Sequence, residues 1–454
     1  MAIDRSPLQL LPQEASSLLS VGLMHLTFEG LFTPTASGGV RPALCMTMSH
    51  DESCCEWRFA LKPAQWSNGC PVRAEDFVRA LMRAHDPNQP CVAASAVALL
   101  NWNGPKAAAE ALDDRTLILR WRESTPLAPS VLAMPAFFPM APAEYGRVGN
   151  GPYTVHGVLP GQPLHLSPSA TYRLPTHRLP DIYLVPMDQR TALAAALSNQ
   201  VDWIGSPWGA AQIGMAVEPQ GGWRESIFRG RHWVRLNTRR AELQSLATRQ
   251  SIRAAILEGA EQGNHSVGLL DASSAGSSAQ SRLTAPSSRP RLCLLFAPSH
   301  QRDMQASLLQ KWLRRAGWEL ELCPVEPKTL ARRVAEGDYQ MALSSWVAES
   351  PLPDEMLRPW LAAGAPGNGT GWHLKESREE REGRLSGSPC ELASLESRIL
   401  QGAAVVPIAP MVMRSWNSPL LKSWELTPLG TFDLQSMGLA EGETDTQKTI
   451  TRSR

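Results

Sequence analysis

Residues 319–353 read ELELCPVEPKTLARRVAEGDYQMALSSWVAESPLP, and their pattern decides the fold. Glu319, Leu320, Glu321 and Leu322 alternate polar with apolar, the period of a strand. Lys328 to Glu336 has helical spacing and is stopped by Gly337. Tyr339 to Trp346 reads as a second strand, running out into an acidic, proline-studded turn, Ala348-Glu349-Ser350-Pro351-Leu352-Pro353. Upstream, Leu308, Leu309, Trp312, Leu313 and Ala316 share a helical face that ends at Gly317, so the local order is helix, strand, helix, strand. That order predicts α/β packing. Open α/β sheets take ligands at the carboxyl ends of their strands, which directs attention to Trp346 and the acid that follows it.

Composition narrows the function. With 454 residues, 43% of them hydrophobic, there is material for more than one domain and for real cores. The formal charge is +1 and there is no long basic run, so nucleic acid is not an expected partner. No apolar run is long enough to span a bilayer. Met1-Ala2-Ile3-Asp4-Arg5 lacks a basic segment followed by an apolar one, so the reading expects no export signal in this sequence. The eight cysteines show no zinc spacing and are expected as buried or free thiols, with disulfides the alternative. No nucleophile, metal-protease or phosphate-loop motif is present, and the ten histidines are scattered. The acid pair Asp113-Asp114 reads as a surface turn. Binding, with no cofactor or metal, is expected instead of catalysis.

Five stretches, in order along the chain, carry a resemblance. They are Phe28-Glu29-Gly30-Leu31; Trp66-Ser67-Asn68-Gly69-Cys70-Pro71-Val72 with Ala74, Asp76 and Phe77; and Asn150-Gly151-Pro152-Tyr153. The others are Gly337-Asp338-Tyr339 with Trp346-Val347-Ala348-Glu349, Asn368 and Gly371-Trp372, and the ending Val406-Pro407 to Pro428-Leu429-Gly430. Together they resemble the extracellular solute-binding proteins of family 5, the peptide- and nickel-type binding components of ABC importers. The resemblance implies a bilobal α/β fold, periplasmic-binding-protein-like of type II, with an extra small domain. The implied division is 1–41, 148–235 and 413–454 for the first lobe, 42–147 for the small domain and 236–412 for the second lobe.

The same resemblance implies a function. A peptide or peptide-like solute would lie extended between two strands, be read by main-chain hydrogen bonds, and be delivered to a membrane permease. Carried over residue by residue, the ligand-binding set is Glu29, Gly30, Leu31, Ser344, Ser345, Trp346, Val347, Ala348, Glu349 and Trp372. Glu349 matches the family's amine-pairing aspartate, one methylene longer; it is a ligand contact or a surface turn residue. Trp346 is pocket wall or core, and Gly30 admits a ligand backbone or is a plain strand glycine. Trp66 is expected to be architectural. His300 and Arg302 sit in a candidate loop, and no carboxylate-binding cation is assigned. The protein is expected to act as a monomer outside the cytoplasm; the alternative is a non-exported ligand-sensing module of the same fold.

The remaining segments read more simply. Ala15 to Leu26 predicts an amphipathic helix, and Thr27 to Thr33 a strand. Ala74 to Ala84 predicts a helix whose usual threonine cap is replaced by Arg73. Trp233 to Asn237 is the expected passage to the second lobe, residues 260–290 a linker, Lys375 to Arg384 a solvated helix face, and Glu443 to Arg454 a disordered tail. Pro389 to Gln401 predicts a helix capped by Ser388, and Ala403 to Met413 a buried strand.

Overall fold

In the computed structural model the opening stretch does alternate strand and helix. The structure describes residues 1–3, 10–142, 148–156, 162–206, 208–209, 222–261, 268–270, 291–348, 350–365, 367–421 and 423–437. The chain divides into two compact units. One is Met1–Ser226, Glu349–Pro351 and Met413–Arg454; the other is Ile227–Ala348 and Leu352–Val412. The expected linker at 260–290 lies mostly, and the tail at Glu443–Arg454 wholly, outside the described residues.

The first unit holds strands β1 (Ala2–Ile3), β2 (Phe32–Pro34), β3 (Val40–Pro42), β4 (Cys45–His50), β5 (Glu56–Leu61), β6 (Ala109–Asp113) and β7 (Thr116–Arg120). Four more follow: β8 (Tyr153–His156), β9 (Leu164–Pro168), β10 (Ile182–Pro186) and β11 (Trp203–Gly205). Its helices are α1 (Leu18–Thr27), α2 (Ala74–His85), α3 (Ala94–Val97), α4 (Ala128–Val131) and α5 (Gln189–Leu197). Two four-stranded sheets, ordered β4-β5-β7-β6 and β1-β10-β9-β8, and the hairpin β2-β3 result. In β5, Trp57, Phe59 and Leu61 are buried while Arg58 between them is exposed, the alternation that predicted the strand.

Two expectations in this unit are corrected. α1 is not amphipathic: nearly all of it is buried, Ser20 and Thr27 included, as a helix enclosed on every side must be. Thr27 to Thr33 is not one strand either. Thr27 closes α1, residues 28–31 run irregularly, and β2 begins only at Phe32.

The WSNG segment is structural. The Trp66 indole is fully buried, and its Nε1–H donates to Asp76 Oδ2 at 3.0 Å. The same carboxylate accepts the Arg73 amide at 3.0 Å, half of a capping box that survives although arginine has no acceptor to offer. Arg79 completes the set, donating to Asp76 Oδ1 at 2.8 Å. One buried acid thus joins the turn, the start of α2 and the core tryptophan.

The second unit holds most of β12 (Arg224–Leu236), β13 (Leu292–Phe296), β14 (Leu320–Pro324), β15 (Met341–Val347) and the first part of β16 (Val405–Asn417). Its helices are α6 (Ala241–Gln244), α7 (Leu246–Glu261), α8 (His300–Arg315), α9 (Pro327–Glu336), α10 (Arg378–Leu385) and α11 (Pro389–Gln401). The strand order is β16-β12-β15-β13-β14, with β13 parallel to both β14 and β15, and β12 antiparallel to β15. Core side chains from α7 and α8, among them Ile252, Ile256, Leu309 and Leu313, pack on Leu292, Leu294, Met341 and Leu343. Val334 of α9 packs with Leu295, Tyr339 and Ala342, which alternate with the first set along the strands. Gly337, at φ 71°, ends α9 as a left-handed C-cap.

Here too the structure departs from expectation. Trp233 to Asn237 is not a bare crossing segment: Trp233 to Leu236 belong to a long strand whose arginines hide its apolar pattern. The charged run is not wholly solvated, because Arg384 is buried and pairs with both Glu376 and Asp354. α11 starts where expected, but the Ser388 side chain makes no capping bond. Cys293 and Cys323, one on β13 and one on β14, form a disulfide, where a thiol was the first expectation.

Trp66→Ala should remove a fully enclosed aromatic and one of the donors to the Asp76 carboxylate, costing about 3–5 kcal/mol. Thermal melts should show a clearly lower midpoint; an unchanged midpoint would disprove the architectural role.

Candidate functional site

The carboxyl ends of three parallel strands define one edge of the second unit. β13 ends at Phe296, α8 starts nearby with Ser299 as its cap, and β15 continues to Val347. β15 is paired along its whole length with β12, from Met341 opposite Leu236 to Val347 opposite Gly230. On its other side it meets β13 only at Met341 and Ala342. From Leu343 to Val347, then, one side of β15 has no strand partner among the described residues, and these main-chain groups are half of an open sheet edge.

Aromatic side chains line this stretch. The Trp346 ring stacks on Trp233 at 6.3 Å between centroids and rests against Gly367, whose φ of 82° and lack of a Cβ make the contact possible. Trp360 meets Trp233 edge-on at 5.1 Å. Ser344 Oγ accepts the Trp233 Nε1–H at 3.0 Å, whereas the Trp346 Nε1 is buried with no partner among the described residues.

On the other face of the same strand pair lies a polar cluster that the sequence reading did not assemble. His232 and Ser345 are register partners, and the Ser345 hydroxyl lies 2.7 Å from His232 Nδ1. Gln301 Nε2 is 3.1 Å from His232 Nε2, and Arg302 Nη2 donates to Ser345 Oγ at 2.6 Å. Arg302 therefore sits in the first turn of α8, not in a loop. Burial, reinforced by the Arg302 charge, lowers the His232 pKa to about 4, so this imidazole is neutral at pH 7. Burial, with the positive charge of Arg235, lowers Arg302 to about 10, which leaves it a cation. Arginines embedded in an otherwise apolar strand, as in Trp233-Val234-Arg235-Leu236, were a sequence signal that could have marked the area.

The other expected site residues are placed as follows. Glu29 is buried, and its carboxylate is held by Arg173 through bonds of 2.8 and 2.7 Å and by the Tyr172 hydroxyl at 2.8 Å. Its main chain is bracketed by Asn150, whose Oδ1 accepts the Glu29 amide and whose Nδ2 donates to the Glu29 carbonyl. Gly30 and Leu31 give their carbonyls to the amides of residues 43–45, and the Phe138 ring covers the space a Gly30 side chain would need. These groups are already committed within the first unit. Ala348 is buried and donates its amide to Arg229. Trp372 packs its ring on Gly402 at the end of α11. Glu349 lies outside the described residues. A separate open cavity of about 850 Å³ in the first unit is bordered by Lys62, Arg73, Asp114, Arg115 and Arg173.

Among the described residues no group of three or more His, Cys, Asp or Glu side chains is placed to hold a metal ion, and no helix is long and apolar enough to cross a membrane. Solved structures similar to this one are bilobal α/β proteins of the periplasmic binding type, and that is the class of this fold. The Escherichia coli murein tripeptide binding protein MppA matches with a TM-score of 0.73 at 18% identity, covering 95% of each chain. Haemophilus influenzae OppA in complex with RPPGFSPFR matches with a TM-score of 0.72 at 17% identity, over 95% of this chain and 98% of the other. In sequence, residues 39–256 match the model of the bacterial extracellular solute-binding proteins, family 5 Middle. The oligopeptide-binding protein OppA of Bacillus subtilis (strain 168) is 22% identical over 436 residues, which is 83% of this chain and 80% of the relative. In residues 39–256, and in its fold, the chain is similar to the family 5 solute-binding proteins.

Acid should destabilise the protein through its buried imidazoles. Burial lowers His25, packed edge-on against Phe138, to about 4, as it does His232. Below the ordinary value of 6.5 the unfolded chain takes up protons that the folded chain refuses, so stability is intact above that pH and is lost on the way down to about 4. At pH 5 each histidine should account for about 2 kcal/mol. Melting at pH 7.5 and 5 should show the drop, and His25→Gln should shrink it; an equal drop in the variant would refute the assignment.

Proposed function

We propose that this protein captures a peptide or peptide-like solute and delivers it to the permease of an ABC importer. The observation that supports this reading is the half-open edge of β15. A peptide laid beside Leu343 to Val347 extends the sheet by one strand and satisfies main-chain donors and acceptors that otherwise face no partner strand. Because main-chain bonds carry the recognition, one site accepts many side chains. The relatives, an oligopeptide-binding protein and a peptide complex among them, point the same way.

In this reading Ser344, Ser345, Trp346, Val347 and Ala348 form the binding strand, with Trp346 as a wall. Glu29, Gly30, Leu31 and Trp372 support the fold around the site and do not touch the solute. Glu349, the next residue after the strand, pairs with the ammonium of the peptide. The protein works as a monomeric binder, without catalysis and outside the cytoplasm. The Cys293–Cys323 disulfide supports that compartment, since such bonds persist where the surroundings are oxidising.

Calorimetry with short peptides tests the edge. Methylating one backbone nitrogen of a bound peptide should remove a main-chain bond and, at one or two positions, weaken binding by about tenfold, equivalent to about 1.4 kcal/mol. If every methylated analogue binds as well as its parent, strand addition is wrong. The ammonium role has its own test. Glu349→Gln should weaken a free-amine peptide by at least roughly tenfold and leave its N-acetylated form nearly unaffected. A double-mutant cycle with a coupling energy near zero would remove Glu349 from the site.

A further inference from the structure

The Ser345 side of β15 is built almost entirely of hydrogen-bond donors. When Gln301 Nε2 donates to His232 Nε2, the imidazole proton resides on Nδ1 and is donated to Ser345 Oγ. The same oxygen accepts from Arg302 Nη2. Its own hydroxyl proton is then left over, and Arg302 Nη1 is buried with no partner among the described residues. No carboxylate of the described residues pairs with Arg302. The charge of Arg235, itself buried and likewise without an acid among the described residues, acts on it. Arg302 is half-buried, and its enclosed Nη1 leaves spare donors facing no counter-charge among the described residues, an arrangement that an incoming anion would relieve.

The position of this cluster says what supplies it. Ser345 is one of the residues on the open half-edge, and it points to the side on which α8 begins. Side chains of a peptide added to that edge alternate between the two faces, so one of them is directed at Ser345 and Arg302 while its neighbours are directed at Trp346. Resting on the strand-addition reading above, we propose that Arg302, Ser345 and His232 form a side-chain pocket for a carboxylate, so that the solute is a peptide with an acidic residue at one fixed position. Arg302 gives two N–H donors in a plane, the geometry that matches a carboxylate, and the Ser345 hydroxyl adds a third. Neutral His232 acts as a positioning residue: it orients Ser345 and adds no charge.

Alanine tetrapeptides carrying one glutamate, one glutamine or one lysine at each position in turn are the probes, with calorimetry on the intact chain as readout. At one position glutamate should bind about tenfold or more tighter than glutamine, and lysine weaker than both. Arg302→Gln should abolish that preference while leaving the affinity for the all-alanine peptide within about threefold. Arg302→Lys, which keeps the charge, should restore part of it. If the tetrapeptides bind but charge makes no difference at any position in the unaltered protein, the acidic pocket is overturned and the peptide-binding reading stands. If none of them binds to correctly folded protein, both readings fall.

Discussion

Strand β13 ends at Phe296 because Pro298, two residues on, has no amide hydrogen to give a sheet and Ser299 is already committed to capping α8. β15 meets no such stop before Val347 and is held straight by its continuous ladder to β12. The difference in length between two neighbouring parallel strands is what leaves five residues of main chain with one side unpaired. It also brings the first turn of α8 level with that unpaired segment, since α8 begins where β13 gives out. The aromatic wall, the donor cluster and the open edge all follow from one early termination.

Much of this was legible in the sequence, for a physical reason. Short-period alternation and glycine stops report local structure, so Glu56–Leu61, Pro327–Glu336 and Met341–Val347 were readable within a residue or two. The Trp66 segment was readable as architecture because a buried indole and a nearby acid one helical turn into α2 have an obvious use for each other. The strands that failed are those whose alternation is obscured. β12 carries four arginines in its thirteen residues, so its apolar half is thinned out, although pairing on both sides makes it a central strand.

The site was less legible because its bonds are not local. Glu29 looked available beside a glycine, yet its partner Arg173 lies 144 residues along the chain. Ser345 finds His232 at a separation of 113 residues and Arg302 at 43. No spacing rule reaches so far; only the strand register does, by placing His232 opposite Ser345. The resemblance pointed to a strand in the second unit and to Glu29, Gly30 and Leu31, and the bonds of those three run to Asn150, Arg173, Tyr172 and residues 43–45.

The way this chain treats its other buried charges gives the unpaired arginines their weight. Glu29 has Arg173 and Tyr172, Asp76 has Arg79 and the Trp66 indole, and Asp354 has Arg358 and Arg384. Buried arginines are served with equal care. Arg384 has two acids, and Arg249, which has none, gives its N–H groups to the carbonyls of Leu243, Gln244 and Gly402. The Arg235 side chain, by contrast, makes no hydrogen bond among the described residues and lies near the Trp233 ring and Tyr339, while one arm of Arg302 is idle. These buried acids are all paired, whereas Arg235 and one arm of Arg302 have no acid among the described residues, and both belong to the strand and helix that flank the open edge. Burial of this kind costs several kcal/mol per ion when nothing compensates it. That cost is recovered when an anion arrives, which makes the charge of the solute part of the driving force for binding and not an incidental property of it.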